Sequence, residues 1–193
     1  MKNSRTEIPA VRSGIRVLGI DPGSRVSGYA LIVSGKKIPR SYKDFEVNEI
    51  GVMRADQSQD FLPRIGQLHD KLSELVAQFR PDFCVIEDSF FGMNARSALK
   101  LGQVKGALAC AAMRGGVPTV DIAPREVKSA VTGNGAATKE QVCQTLEILM
   151  GIKLSGLPHD ATDALAIALS FGLKVASRQR VRAPILGCEK AGG

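Results

Sequence analysis

The stretch "IRVLGIDPGSRVSGYALIV", residues 15–33, decides the class of the fold. Its first seven residues are an apolar run that ends in Asp21, which is typical of a buried strand. "PGSR" then predicts a tight turn. The imperfectly alternating segment 26–33 predicts a second strand that returns beside the first, and apolar residues between positions 38 and 53 predict a third. The chain therefore begins with a meander of strands.

Beyond this meander, the apolar residues follow helical and strand periods in turn. Strand periods and short apolar runs predict strands at 81–88 and 118–123. Helical periods predict helices at 60–79, 94–116, 124–131 and 138–151, and a last helix from 157 to about Ser177. Strands followed by strand–helix alternation predict an α/β fold, with a mixed sheet flanked by helices.

The composition is that of a globular protein with an excess of positive charge. The 193 residues have a formal net charge of +7, which favours an anionic partner, nucleic acid first. Four cysteines without C-x-x-C spacing indicate a reduced, cytoplasmic chain rather than a disulfide framework or a zinc site. No apolar run reaches the roughly 18 residues of a membrane span, so no membrane association is expected. We expect one domain at 15–177, a polar extension at 1–14 and a basic, flexible tail at 178–193.

Acids stand at the ends of two predicted strands and at the start of the last helix. Asp21 and Glu87 each end a strand, and ligands of α/β sheets bind beyond the carboxyl ends of neighbouring parallel strands. Asp160 and Asp163 are three residues apart in "LPHDATDALAIALS", residues 157–170. Helix capping explains one acid there, but not a second acid in the stripe that faces the core. For Asp21 alone, a role in the turn is an equal alternative.

Four carboxylates brought to one sheet edge need a compensating charge. Two carboxylates about 4 Å apart repel by roughly 4 kcal/mol at an effective dielectric constant near 20, so protons or cations must neutralise the cluster. Mg²⁺ and Mn²⁺ are hard ions that prefer oxygen ligands. Two such ions, roughly 3.5–4 Å apart, form the clamp used for in-line phosphodiester hydrolysis. The acids therefore indicate a metal-assisted phosphodiesterase site.

Four segments together resemble the RuvC-type Holliday-junction resolvases in order and spacing. They are "LGIDPGSRVSGYALI", "IEDSFFGMNARSALKLGQVKGAL", "APREVKSAVTGNGAATKEQV" and "HDATDALAIAL", and the likeness covers about residues 16–170. It implies a ribonuclease H-like nuclease domain that works as a homodimer and nicks two opposed strands of a four-way DNA junction. It also implies two Mg²⁺ ions per site, replaceable by Mn²⁺, held by Asp21, Glu87, Asp160 and Asp163. Because some relatives carry His at the position of Asp160, His159 is an alternative ligand.

The resemblance also assigns residues around the acids. Lys128 in "PREVK" and Lys139 in "GAATKEQV" match basic positions needed for cleavage, where an ammonium offsets charge that develops on the phosphate. The alternative for both is a solvated surface lysine. Arg125 is expected to contact phosphate, and Phe90 to stack on an unpaired base rather than pack in the core. "TGNGAATK" lacks the G-K-[ST] ending of a nucleotide-binding phosphate loop, so we interpret it as a turn.

Small residues in the helix at 94–116, Gly102 and Gly106 among them, allow another helix to approach closely. That helix could belong to the same chain, but the resemblance implies a dimer interface and, beyond it, a branch-migration complex of the RuvA and RuvB type. Two other functions remain open: a junction-binding module whose acids are structural, and a ribonuclease H-like relative that processes RNA or uses ATP. Incubation with a synthetic four-way junction, with and without Mg²⁺, discriminates between them.

Overall fold

The fold is known from a computed structural model, which describes residues 14–35, 37–88 and 94–182, with side chains described as far as residue 178. In these residues the strands are β1 (Arg16–Asp21), β2 (Val26–Ser34), β3 (Phe45–Arg54), β4 (Phe83–Glu87) and β5 (Thr119–Ile122). The α-helices are α1 (Phe61–Phe79), α2 (Ala95–Arg114), α3 (Pro124–Thr132), α4 (Lys139–Met150) and α5 (His159–Arg182). None of the helices described here is long and apolar enough to cross a membrane.

The strands form one mixed sheet in the order β3-β2-β1-β4-β5. Strands β1, β2 and β3 are the predicted antiparallel meander, and β4 and β5 run parallel to β1. Ile20 of β1 pairs with Ile86 of β4, so the residues that follow them, Asp21 and Glu87, end the two central parallel strands at the same edge. The predicted α/β class and the predicted adjacency of these two strand ends are confirmed.

Two element boundaries differ from the sequence prediction. The third strand begins at Phe45 because the preceding residues form a 3₁₀ turn, where the Asp44 carboxylate accepts hydrogen bonds from the backbone N–H groups of Arg40 and Ser41. Helix α5 continues to Arg182, so the expectation that it stops near Ser177 is wrong. Good helix formers follow Ser177 in the sequence, and its apolar side stays buried as far as Ala176. The segments 1–13 and 183–193 lie outside the described residues.

Helices cover both faces of the sheet, so β1 is buried on both sides. Alternate residues of a strand point to opposite faces. Val17 belongs to the cluster of buried residues around α3, α4 and α5, whereas Leu18 and Ile20 belong to the cluster around α1 and α2. Asp21 continues the alternation of Val17, which places its carboxyl group on the α5 side of the sheet.

Helix α5 lies directly on the backbone of β1 and β2 because glycines face it. A Cβ atom added to Gly19 would lie 2.3 Å from the carbonyl oxygen of Ala164. A Cβ atom added to Gly28 would lie 1.8 Å from the carbonyl oxygen of Asp160. Neither position tolerates a side chain unless α5 moves away. The two glycines therefore set the distance between the sheet and the helix that carries two of the acids.

We predict that Gly19→Ala destabilises the protein, because the new methyl group collides with the backbone of α5. Overpacking of a core costs about 1–3 kcal/mol, and a clash with backbone belongs at the upper end of that range. Gly66→Ala is the matched control, since a Cβ atom there meets no atom within 4 Å, and the better helix propensity should stabilise α1 by about 0.5–1 kcal/mol. Urea unfolding measures both changes, and equal stability of the two variants would contradict the close packing of α5.

Candidate active site

Three elements bring the four predicted acids to one edge of the sheet. Asp21 ends β1, Glu87 ends β4, and Asp160 and Asp163 lie in the first turns of α5. Burial raises the pKa of Asp21 to about 7, with further contributions from the negative charges of Glu87, Asp163 and Asp160. All four carboxylates therefore interact electrostatically, as expected from the strand ends and from the helix start that Gly28 positions.

Lys139 is a cation that contacts this cluster directly. It is the first residue of α4, whose start is fixed by a capping box in which Thr138 and Gln141 bond to each other's backbone. The Lys139 ammonium donates a hydrogen bond to Asp163. Burial by itself would lower the pKa of Lys139, but this hydrogen bond and the charges of Asp163, Asp21 and Glu87 raise it. Lys139 is therefore a permanent positive charge beside the acids.

The acid cluster offers the type of donor atom that a hard divalent cation binds. All four donors are carboxylates, the ligand type that Mg²⁺ and Mn²⁺ prefer. Burial and the charges of the other three acids raise the pKa of Asp21 to about 7, although Lys139 lowers it. Within the described ranges, no three acid, imidazole or thiol groups surround a common metal position, and Asp163 is bonded to Lys139. The type and charge of the donors therefore support cation binding.

Asp160 interacts with Asp21, since its charge is one of those that raise the pKa of Asp21. His159, the alternative ligand, acts on α4, where the pKa of Glu140 is lowered by a hydrogen bond from that residue's own backbone N–H, by one from Thr138 and, more weakly, by the charge of His159. Asp160 is therefore supported as a group that faces the cluster.

The remaining predicted site residues occupy α3 or lie beyond the described ranges. Lys128 is half-buried on α3 and forms no ion pair within the described part of the chain. Arg125, on the same helix, is exposed, and its side chain crosses the turn before α4, since a Cβ atom on Gly135 would lie 2.6 Å from the Arg125 Cγ. Phe90 lies in the segment 89–93, which is outside the described residues.

Two features of the site were not predicted from the sequence. Gly28, beside Asp21 in the sheet register, makes room for the backbone of Asp160. Lys105 of α2 binds both Asp88, next to Glu87, and Asp121 of β5. The only sequence signal for the second feature is strand alternation, which puts consecutive acids on opposite faces of a sheet.

Comparison with known proteins gives matches over most of the chain. A family described as "Crossover junction endodeoxyribonuclease RuvC" matches residues 17–171. A protein of that name from Chlorobium phaeovibrioides is 42% identical over 166 residues, which are 86% of this chain and 85% of the relative. Another from Chlorobaculum parvum is 44% identical over 152 residues, 79% of this chain and 78% of the relative.

Solved structures agree with these sequence relatives. The structure of Thermus thermophilus RuvC is 30% identical and superposes with a TM-score of 0.75, covering 85% of this chain and 97% of that one. The same protein in complex with Holliday junction substrate gives a TM-score of 0.76 at 30% identity, with coverage of 85% and 96%. A yeast mitochondrial Holliday junction resolvase, 16% identical with a TM-score of 0.59, shares the fold; the match covers 89% of this chain and 83% of that one.

The raised pKa of Asp21 predicts how the stability of the metal-free protein depends on pH. The folded state keeps the Asp21 proton up to about pH 7, whereas the unfolded chain loses it near its usual pKa of 3.8. Stability should therefore fall as the pH rises through this window, by at most about 4 kcal/mol. Asp21→Asn should remove the fall, so the variant should be more stable than the wild type at pH 8.

Urea unfolding in EDTA at pH 5 and pH 8 measures this effect. Added Mn²⁺ should stabilise the wild type at pH 8, because an ion that binds only the folded state favours it, and should stabilise Asp21→Asn less. An equal loss of stability in both proteins between the two pH values would show that Asp21 is not the titrating group.

Proposed function

The chain belongs to the RuvC family of crossover junction endodeoxyribonucleases, and from that membership we propose how its own residues cleave DNA. It is a structure-specific nuclease with a ribonuclease H-like fold, which hydrolyses phosphodiester bonds of four-way (Holliday) DNA junctions in recombination and repair. Its active site depends on a divalent metal. The observation that supports a location for this site in the chain is the interaction of three other carboxylates and Lys139 with Asp21.

The proposed metal ligands are Asp21, Glu87, Asp160 and Asp163, and the proposed cofactor is a pair of Mg²⁺ ions that Mn²⁺ can replace. Bound ions of this kind help to generate the attacking hydroxide and stabilise the leaving oxygen. The protein contributes carboxylates held by the ends of β1 and β4 and by the start of α5, which are rigid elements. Burial first, and then the negative charges of the other three acids, raise the pKa of Asp21, and this supports the assignment because a divalent cation would relieve the repulsion among them.

Lys139 is the proposed cleavage lysine. Its raised pKa keeps it protonated, and its side chain is 64% exposed, against 20% for its partner Asp163. The ammonium can therefore reach a phosphate at the surface while it remains beside the acids. There it would donate a hydrogen bond to an oxygen on which charge develops during hydrolysis.

The proposed DNA contacts extend from Lys139 to α3 and to the loop after β4. Lys128 is proposed as a second cleavage lysine, and Arg125 as a phosphate contact that the turn at Gly135 holds close to the start of α4. Phe90 is proposed to stack on an unpaired base at the junction. For Lys128 and Phe90 the support is the family resemblance in "PREVK" and "IEDSFFGMN".

We predict that Asp163→Asn abolishes cleavage of a synthetic four-way junction but leaves binding intact or tighter. The change removes a metal ligand and, with it, a negative charge that repels phosphate. Asp70→Asn, on the exposed side of α1, is the matched control and should leave both activities unchanged. Gel-shift and nicking assays on one junction with Mg²⁺ test this, and near-normal nicking by Asp163→Asn would reduce the acids to a structural role in a junction-binding protein.

Lys139→Ala tests whether this lysine acts on the bound phosphate or on the transition state. A ground-state contact would make the log–log dependence of binding on salt shallower by up to about one unit, since each neutralised phosphate contributes roughly −0.9 on duplex DNA. A transition-state contact of roughly 3 kcal/mol would leave that slope unchanged and slow single-turnover cleavage more than a hundredfold.

We expect the second pattern, because the Lys139 ammonium donates a hydrogen bond to Asp163 and so lies beside the acids. Lys139→Arg keeps the positive charge and should preserve the salt slope, although its planar group fits the site less well. An unchanged cleavage rate together with an unchanged salt slope in Lys139→Ala would show that Lys139 is a solvated surface lysine with no role in binding or cleavage.

A homodimer is proposed through the outer side of α2. Leu99 and Met113 are 72% and 55% exposed, and their spacing with Gly106 and Cys110 puts all four on one side of the helix. Gly106 is exposed in the middle of a helix, where glycine costs about 1 kcal/mol relative to alanine. A Cβ atom added there would meet nothing within 4 Å in the described chain, so the space is open to a second helix. A twofold dimer would present two active sites to two symmetric strands.

Gly106→Arg should convert the dimer to a monomer, because a long charged side chain would enter the space where the second α2 helix approaches. Gln144→Arg is the control, since Gln144 is exposed on α4, on the opposite face of the sheet. Light scattering at micromolar concentration should give about twice the 20.6 kDa chain mass for the wild type and the control. A monomeric wild type, with and without junction DNA, would contradict paired nicking by a dimer.

The wider setting is proposed from the family resemblance. The dimer would work in the cytoplasm with a branch-migration complex of the RuvA and RuvB type. The nuclease domain would begin near residue 15 and include all of α5. Binding of the purified protein to a junction that already carries the RuvA-type protein tests this partnership.

A further inference from the structure

Two consecutive acids lie at the end of β4, Glu87 as its last residue and Asp88 directly after it, and they point to opposite faces of the sheet. Val85 belongs to the buried cluster around α5, and Glu87 is two residues further along the strand, so Glu87 faces the same side. Ile86 belongs to the cluster around α1 and α2, and Asp88 follows its alternation. Only one of the two acids is therefore directed toward Asp21 and α5.

Lys105 of α2 binds the acid that faces the other way. Its side chain is 14% exposed, and its Nζ lies 3.0 Å from Oδ1 of Asp88 and 3.1 Å from Oδ1 of Asp121. Asp121 belongs to β5, where it pairs with Ile86 in the register of the two strands. The backbone N–H of Asp88 also donates to the carbonyl oxygen of Ile122, at 2.9 Å. One ammonium group thus joins the ends of β4 and β5 on the α2 side.

The two carboxylates stabilise the charge of Lys105, and the loss of Lys105 would leave the two carboxylates without their shared cation. Burial alone would lower the pKa of Lys105, but hydrogen bonds and negative charge from Asp88 and Asp121 outweigh it and raise the pKa. Without the ammonium, two carboxylates would face each other across neighbouring strands with no shared cation between them. The Asp88 and Asp121 side chains are 43% and 60% exposed, so they would turn toward water, and the end of β4, with Glu87, would lose one of the contacts that fix it.

We propose that Lys105 is a positioning residue of the active site, which holds the end of β4 in the orientation that directs Glu87 toward Asp21. The same contact keeps Asp88 on the α2 face and away from the ions. The proposal rests on the assignment of Glu87 as a metal ligand. Groups that orient metal ligands typically change metal affinity or activity by about 10–100-fold when they are removed.

The test measures Mn²⁺ binding to the DNA-free protein by calorimetry, together with single-turnover cleavage and the thermal midpoint. Lys105→Met should weaken Mn²⁺ binding and slow cleavage by about tenfold or more, while junction binding in EDTA stays at the wild-type level. Lys105→Arg retains the charge and should retain most of both. The triple variant Lys105→Met, Asp88→Asn, Asp121→Asn should recover Mn²⁺ binding, because neutralising all three members of an ion cluster leaves no unpaired charge.

A lower thermal midpoint in Lys105→Met with wild-type Mn²⁺ affinity would overturn the proposal and leave Lys105 a purely structural residue. If Lys105→Met does not fold, Asp88→Asn and Asp121→Asn decide the matter, since each removes the negative charge from one of the two ion pairs. Weaker Mn²⁺ binding in both supports the proposal, and wild-type binding in both overturns it. Glu87→Gln separates this outcome from the proposed function: wild-type Mn²⁺ binding in that variant would refute the ligand assignment itself.

Discussion

The active site depends on the direct contact between α5 and the backbone of β1 and β2. Gly19 and Gly28 have no side chains, so the carbonyl groups of Ala164 and Asp160 occupy space that a Cβ atom would need. This contact carries the first turns of α5 to the ends of the central strands. A helix held off by ordinary side chains would keep its acids further from Asp21, and the charges that raise the pKa of Asp21 would be weaker.

This edge of the sheet carries a set of acids on each face, and the negative charge of the two sets is compensated differently. On the α2 face, Lys105 is shared by Asp88 and Asp121, with both hydrogen bonds close to 3 Å. On the α5 face, Lys139 bonds to Asp163, but the pKa of Asp21 still rises to about 7. The α5 face therefore carries a set of carboxylates that a single ammonium does not neutralise, and it is the face on which we propose that the divalent metal binds. Metal that binds the folded state there would stabilise it.

The sequence alone determined the class of the fold and most of the elements, because strand and helix periods are local properties. The apolar run that ends at Asp21, the return strand and the later strand–helix alternation were enough to predict a mixed sheet with helices on it. The adjacency of Asp21 and Glu87 also followed, since the ends of neighbouring parallel strands meet at one edge. The start of β3 did not follow, because the local turn that Asp44 holds interrupts a segment whose apolar residues predict a strand. The end of α5 did not follow either, because the burial of its apolar side depends on contacts with other elements.

Only the tertiary structure decided which charges meet at the site. Strand alternation does not predict that Lys105 pairs with Asp88 or that Lys139 pairs with Asp163. The two residues of each pair are 17 or more positions apart in the chain. The electrostatic contact between Asp160 and Asp21 depends likewise on how α5 lies against the sheet. A sequence records its local periods and the residue types available for chemistry. Distances between side chains on different elements are set by packing, and here by two glycines that let a helix lie on a sheet.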